Sequence, residues 1–364
     1  MPRPTAILRQ TPADFVVEEL PAYEPSGEGT HLFVRFRKTG WTSDAAIRTL
    51  AGALGVDPRG AGHAGLKDRH AITTQMASFP FPVGRDPEEA LRLALPAGLE
   101  ILDAKRHGNK LKPGHLDGNR FDLCLRGVAP ELVETLLADL DTLSRRGVPN
   151  RFGGQRFGRT GDNAERALAW ISGRSRPPRD RRDQRFAFSA LQSKLFNETL
   201  DRRVAEGTWD TVLEGDLAKK QDTGGMFLVP GGDELEDAKA RAATGTLCAT
   251  GPMFGARMRW PEGVPAEIER AILGGSGLTA EHLEACRHLG EGTRRPFRLP
   301  VSDLRAERAE DPDGASLLRL TFVLPKGGFA TTVLSEVCDV VDATHAAPSS
   351  PDEAASEEPS DSSR

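Results

Sequence analysis

The stretch "AGLKDRHAITTQ", residues 64–75, sets one carboxylate, Asp68, between two cations, Lys67 and Arg69. Flanking cations favour the ionised form of an acid. An ionised carboxylate can attack a sugar anomeric carbon through an oxocarbenium-like path. Hydrolytic versions of that chemistry use a second carboxylate as acid, and no partner stands out for Asp68. A lone aspartate suits a reaction in which the leaving base is kept and reused. The same triplet also reads as a charged surface turn or a helix cap, and nothing local separates the two readings.

A second candidate is "NRFGGQRFGRTGDN", residues 150–163. It combines glycines at 153, 154, 158 and 161 with Phe152, Phe157, Arg151, Arg156 and Arg159. Glycine lets a backbone approach a ligand closely, arginine contacts phosphates, and aromatic rings stack on splayed bases. It also reads as a connector with both phenylalanines in the core. A third, "AKRHGNKLKPGHLDGNRF", places Lys105, Arg106, His107, Lys110, Lys112 and His115 in one hairpin-like segment. Such a run either tracks an RNA backbone or is a solvated face. The segment Ser172–Arg185, with six arginines and two prolines, carries the same two readings.

Phosphate-loop, dinucleotide, H-E-x-x-H and G-x-S-x-G patterns are all missing, so an enzyme here is expected to work without a nucleotide or metal cofactor. Cys124, Cys248, Cys286 and Cys338 are widely spaced, which fits neither a zinc site nor a disulfide framework and suits a reducing cytoplasm. The first residues have no apolar signal core, and no apolar run reaches membrane-spanning length. Formal net charge is −5 over 364 residues. The segment from Ala347 onward holds five acids against Arg364, which leaves the rest near −1 and lets basic clusters act locally.

These residues need elements to hold them. "HLFVRFRK" alternates, with Leu32, Val34 and Phe36 on one side and Phe33, Arg35 and Arg37 on the other, which predicts a strand. "RFDLCLRG" and "LLRLTFVL" repeat the pattern. Ser43 is the expected cap of a helix ending at Gly55, and Asp86-Pro87 is the expected start of another. Leu132, Val133, Leu136, Leu137, Leu140 and Leu143 form one helical stripe that stops at Gly147 and Pro149. Strands and helices mix without a steady βαβ rhythm, so the expectation is an α+β fold around a mixed, largely antiparallel sheet. The composition break at Ser172 and the return of strand pattern at Ser316 predict a strand-rich domain, 1–172 with 306–345, interrupted by an inserted domain, 173–305. The acidic segment 346–364 is expected to be disordered.

Four motifs in order, "ADFVVEEL…SGEGTHLFVRFRKTGW", "AGLKDRHAITTQ", "NRFGGQRFGRTGDN" and "LPKGGFATTVLSEV", resemble the tRNA pseudouridine synthase D family from about Ala6 to Asp342. The resemblance implies a pseudouridine synthase catalytic domain split by an α/β insertion, with a cleft between them. It implies isomerisation of uridine to pseudouridine in tRNA, at uridine 13 of the D arm, without cofactor, by a cytoplasmic monomer. By the same resemblance Asp68 is the nucleophile, and Phe15, Asn150, Phe152 and Phe329 surround the target uridine. Lys67 and Arg69 then set the charge around Asp68. Lys105, Arg106, Lys110, Arg156 and Arg159 are the expected RNA backbone contacts. Arg151 stands where the family commonly has tyrosine, and "GWTS" replaces a frequent G-x-N-T. The competing expectation is a non-catalytic RNA-binding protein or tRNA-folding chaperone on the same scaffold, and a cofactor-dependent methyltransferase is a second rival.

Overall fold

The structure, a computed structural model, describes residues 2–158, 160–311 and 313–345. Arg159 and the acidic segment 346–364 lie outside the described residues.

The chain opens with β1 (Thr5–Leu8), β2 (Phe15–Pro21), β3 (His31–Thr39), α1 (Ser43–Leu54), β4 (Gly62–His63), β5 (Ile72–Pro80), β6 (Leu99–His107) and β7 (Leu116–Arg126). Then come α2 (Val133–Arg146), β8 (Val148–Pro149), α3 (Asn163–Ile171), α4 (Arg181–Ala205), β9 (Leu217–Lys220), β10 (Met226–Leu228), α5 (Asp233–Ala243) and β11 (Leu247–Met253). The last elements are α6 (Gly263–Gly275), α7 (Ala280–Ala285), β12 (Thr293–Pro296), β13 (Arg298–Leu299), β14 (Ser302–Glu310), β15 (Ser316–Pro325), α8 (Ala330–Val337) and β16 (Asp339–Asp342). Two compact units divide the described residues: those of 2–140 with 302–327 and 337–345, and those of 141–301 with 328–336. Residues 141–172 thus group with the second unit in this division.

The first unit is an α+β structure on a mixed, largely antiparallel sheet ordered β14-β15-β7-β2-β5-β3-β6. The alternation expected for His31–Lys38 places Leu32, Val34 and Phe36 against Ala46, Ile47, Leu50 and Leu54 of α1. On β7, Phe121 stacks on Phe322 of β15 and meets Phe15 edge-on. Two parallel pairings interrupt the antiparallel pattern, β2 with β5 and β1 with β16. The first matters for chemistry. Val16 lies opposite Ile72, so the start of β2 sits beside the start of β5. The loop that carries Asp68 leads straight into Ile72.

In the second unit β10-β9-β11-β12 form an antiparallel sheet. The long α4 packs Phe196 and Leu200 with Trp209, Leu247 and Phe297, and Leu191 and Leu195 with Phe254 and Met258. Arg181, Arg182 and Arg185 belong to the start of this helix, which Asp180 caps. The α2 stripe buries Val133, Leu136, Leu140 and Leu143, and the helix stops at Gly147 as expected. Gly147 has φ 70°, and a Cβ there would lie 2.6 Å from the Leu299 carbonyl oxygen, so only glycine makes this turn into β8 and Asn150.

Two local expectations are corrected. The cap of α1 is Thr42, whose hydroxyl accepts from the Ala45 amide, while Ser43 is engaged elsewhere. After Asp86 the chain makes only a short 3-10 turn, Pro87–Arg92, before extending again.

Candidate active site

In the first unit, Asp68 lies on the loop before β5 with its carboxylate about half exposed, at 51 %. The cation that holds it is neither sequence neighbour. Arg9, just after β1, donates from Nη2 to Asp68 Oδ2 at 2.7 Å and from Nη1 to Asp342 Oδ2 at 2.6 Å. Its guanidinium lies 3.9 Å from the Phe15 ring centroid. Phe15 is 2 % exposed, so it reaches the site through Arg9, as the aromatic floor under that cation. Arg9 has φ 60°, an uncommon backbone state for a side-chain-bearing residue. Asp68 Oδ1 has no protein donor among the described residues.

Lys67 and Arg69, expected to set this charge, make no ion pair with Asp68 among the described residues. The Lys67 ammonium turns inward to Glu19 Oε2 at 2.6 Å, and both side chains are buried. Glu19 Oε1 also accepts from the Met76 amide. Arg69 donates from Nε to the Gly40 carbonyl. Both residues fix the loop backbone instead.

The loop has two more anchors. Lys38, wholly buried, donates from Nζ to the carbonyls of Asp68 at 2.7 Å and Lys67 at 3.3 Å. The Ser43 hydroxyl accepts from the Lys67 amide at 2.9 Å and donates to Gln75 Oε1. Two consecutive carbonyls and one amide are thus held from inside the unit, and Asp68 is presented outward on a fixed base.

Burial pulls the Lys38 amine down to about 8, against the attraction of Asp68. Its ordinary value is 10.5. Between those values the unfolded chain holds a proton that the folded chain has released, so this group adds stability as pH rises across that window. Wild type is therefore expected to gain on Lys38→Met by up to about 1.4 kcal/mol per pH unit between the two values. Urea unfolding of both proteins at matched pH measures it, and parallel pH curves would contradict it.

The second unit carries Asn150, Phe152 and Phe329. Asn150 is 7 % exposed. Its amide donates to the Phe297 carbonyl, its Nδ2 donates to the Pro296 carbonyl at 2.9 Å, and its Oδ1 accepts from Arg295. Phe152 is held by an exchange of two bonds with Asn197 of α4: the Phe152 amide donates to Asn197 Oδ1, and Asn197 Nδ2 donates to the Phe152 carbonyl. The Phe152 ring meets Phe196 edge-on, and the Arg295 guanidinium lies 4.0 Å from its centroid. Arg151, in place of the common tyrosine, pairs with Asp201 and Glu336 and so ties the loop to α4 and α8. Phe329 precedes α8 and is 53 % exposed.

Among the expected backbone contacts, Arg156 is half-buried and donates to Ser189 and Ser193. Lys105 is exposed and pairs with Asp103. Lys110 is half-buried. Arg106 is committed internally, donating to the carbonyls of Gly29, Phe81, Pro82 and Arg85.

Arg9, Glu19, Lys38, Ser43, Asn197 and Arg295 were missed by sequence reasoning. For two of them a signal existed. Lys38 continues the inward parity of Leu32, Val34 and Phe36, and Glu19 continues that of Phe15 and Val17. A charged residue at an inward strand position needs a buried partner.

Known proteins resemble this chain over almost its whole length. The family model of tRNA pseudouridine synthase D matches residues 2–167 and 181–337. A tRNA pseudouridine synthase D from Anaeromyxobacter sp. (strain Fw109-5) is 43 % identical over 335 residues, covering 91 % of each chain. One from Thermus thermophilus is 41 % identical over 337 residues, covering 92 % of this chain and 88 % of the relative. The crystal structure of a Methanosarcina mazei protein assigned to tRNA pseudouridine synthase D superposes with a TM-score of 0.75 at 26 % identity, covering 92 % of this chain and 94 % of that one. A mixed sheet of this topology and a family match spanning both units define an enzyme of the pseudouridine synthase class, an isomerase. The chain belongs to the tRNA pseudouridine synthase D family.

Proposed function

We propose that Asp68 is the nucleophile of a uridine-to-pseudouridine isomerisation and that its target is uridine 13 in the D arm of tRNA. The chain is an isomerase that makes pseudouridine in tRNA, as its family membership implies. The observation that carries the nucleophile is the split between the two oxygens of Asp68. Oδ2 is anchored on Arg9, whose other amino group is itself anchored on Asp342, while Oδ1 is left without a protein donor among the described residues.

In this reading the C1′–N1 bond of the uridine breaks as Asp68 engages the sugar, and the bonding pair leaves with the uracil. The uracil turns and rejoins through C5, and the C5 proton is lost as N1 gains one. Atoms and electrons balance within the substrate, so neither metal nor nucleotide cofactor is called for. Phe152 stacks on the base. Asn150 retains one Nδ2 hydrogen and one Oδ1 lone pair for it, since its other bonds go to Pro296 and Arg295. Phe15 supports Arg9, and Phe329 offers an exposed ring. Exclusion of water keeps the detached base from being lost. We place the reaction in the cytoplasm, on a monomer, with the first unit as the catalytic domain.

The test is a base-resolved pseudouridine map of an unmodified tRNA transcript incubated with the protein alone. One new pseudouridine at position 13, abolished by cytidine at that position, is expected. Modification elsewhere would overturn the target. Tight binding with no modification would favour the chaperone reading.

A further inference from the structure

The second unit buries several arginines, and the two most enclosed, Arg203 and Arg294, each have a carboxylate partner. Arg203 forms a two-bond fork with Asp216, and Arg294 forms one with Glu269. All four of these side chains are almost fully enclosed. Arg298 donates instead to the carbonyls of Arg145 and Ala242, at the C-terminal ends of α2 and α5, where helix dipoles supply partial negative charge.

Arg295 and Arg156 break this pattern. Arg295 follows Arg294 on β12 and so faces the other side of the sheet, where it donates only to the backbone and side-chain oxygens of Asn150. Arg156 donates only to the hydroxyls of Ser189 and Ser193. Neither has a carboxylate partner among the described residues. Both guanidinium carbons lie within 5.5 Å of the same ring centroid, that of Phe152. In each, Nη1 has no protein acceptor among the described residues and is not among the enclosed polar atoms. Burial, then the charge of Arg156, pulls Arg295 down to about 10, and burial lowers Arg156 too. Two like charges kept close together without a counterion destabilise a folded protein unless a ligand supplies the anion.

We propose that Arg156 and Arg295 form an anion site beside Phe152 and that its ligand is an RNA backbone phosphate. Guanidinium groups match phosphate oxygens with paired N–H donors, and phosphate contacts fix the register of a bound strand. That the phosphate flanks the target uridine rests on the reading of Phe152 as the base platform. The anion site itself rests on the charge pattern.

The experiment uses the full chain with Arg156→Met and, separately, Arg295→Met. Binding of an unmodified tRNA transcript is measured over about 50–300 mM KCl. Each variant is expected to weaken binding about tenfold at the lowest salt and to flatten the plot of log affinity against log salt by about 0.7–0.9. Arg295→Lys should recover part of both. Orthophosphate alone should raise the melting temperature of wild type at constant ionic strength, and do so less in either variant. Without phosphate both variants should melt no lower than wild type, which checks folding. An unchanged slope in either variant overturns the site. A fall in kcat with the slope unchanged also overturns it, because the pair would then act on the detached base. Asp68→Asn should keep the wild-type slope, so failure of the nucleophile reading and failure of this site register separately.

Discussion

Asp68→Asn is expected to lower tritium release from 5-³H-uridine tRNA by at least about 10³-fold, the scale at which loss of a nucleophile or its base acts. Binding should stay within about threefold, because the carboxylate is half exposed and its one ion pair among the described residues is with Arg9, which keeps Asp342. Arg9 keeps Asp342, and asparagine Oδ1 still accepts its bond, so the fold should lose less than about 1 kcal/mol. Retained tritium release would sink the nucleophile assignment. Loss of folding together with release would make Asp68 structural. In the native enzyme, the outward carboxylate of Asp68 is placed by a backbone held at two carbonyls and one amide.

That backbone is the subject of the second large effect. Lys67 and Glu19 form an enclosed ion pair, with 7 % and 2 % of their side chains exposed. Removing one partner leaves an uncompensated buried charge, so Lys67→Met or Glu19→Gln alone is expected to cost about 3–5 kcal/mol in urea unfolding. The double variant should recover most of that loss, since it removes both charges and glutamine still accepts from the Met76 amide. If each single change costs under about 0.5 kcal/mol, water reaches the pair and the anchoring argument fails. Activity should follow stability in this series, because Lys67 acts by fixing the loop and Arg9 is the cation on Asp68.

Much of the scaffold is readable along the chain because its determinants are local. Period-two alternation marks β3, β7 and β15, and the α2 stripe marks its buried side. Local signals fail where two residues compete for one role. Thr42 and Ser43 both carry a cap-forming hydroxyl, and the choice is made by the Lys67 amide, which claims Ser43 from 24 residues away. The site shows the same division. Asp68, Asn150 and Phe152 stand out by residue type within compact motifs, but their holders do not. Arg9 reaches Asp68 across 59 residues, and Arg295 reaches Asn150 across 145. Spacing of that kind leaves no periodic trace, and "K-D-R" points to adjacent cations, whereas the ion pair on Asp68 comes from Arg9. Arg106 shows a related point: it donates to four backbone carbonyls, and a basic run does not reveal which of its members cap carbonyls.

The parallel pairing of β1 with β16 joins Thr5–Leu8 to Asp339–Asp342. Arg9 follows β1 directly, and its second carboxylate is Asp342, 333 residues downstream. On the ribosome, then, Asp68 and Arg9 emerge early, but the strand that locks Arg9 in place is translated near the end. The second unit's sheet and α4 are complete long before that point and can fold first. The support of Asp68 is finished by a closure that spans 333 residues, which is a slow kind of contact to make. A nascent chain stalled before residue 339 should carry every atom of the Asp68 loop and still lack the brace that holds its cation.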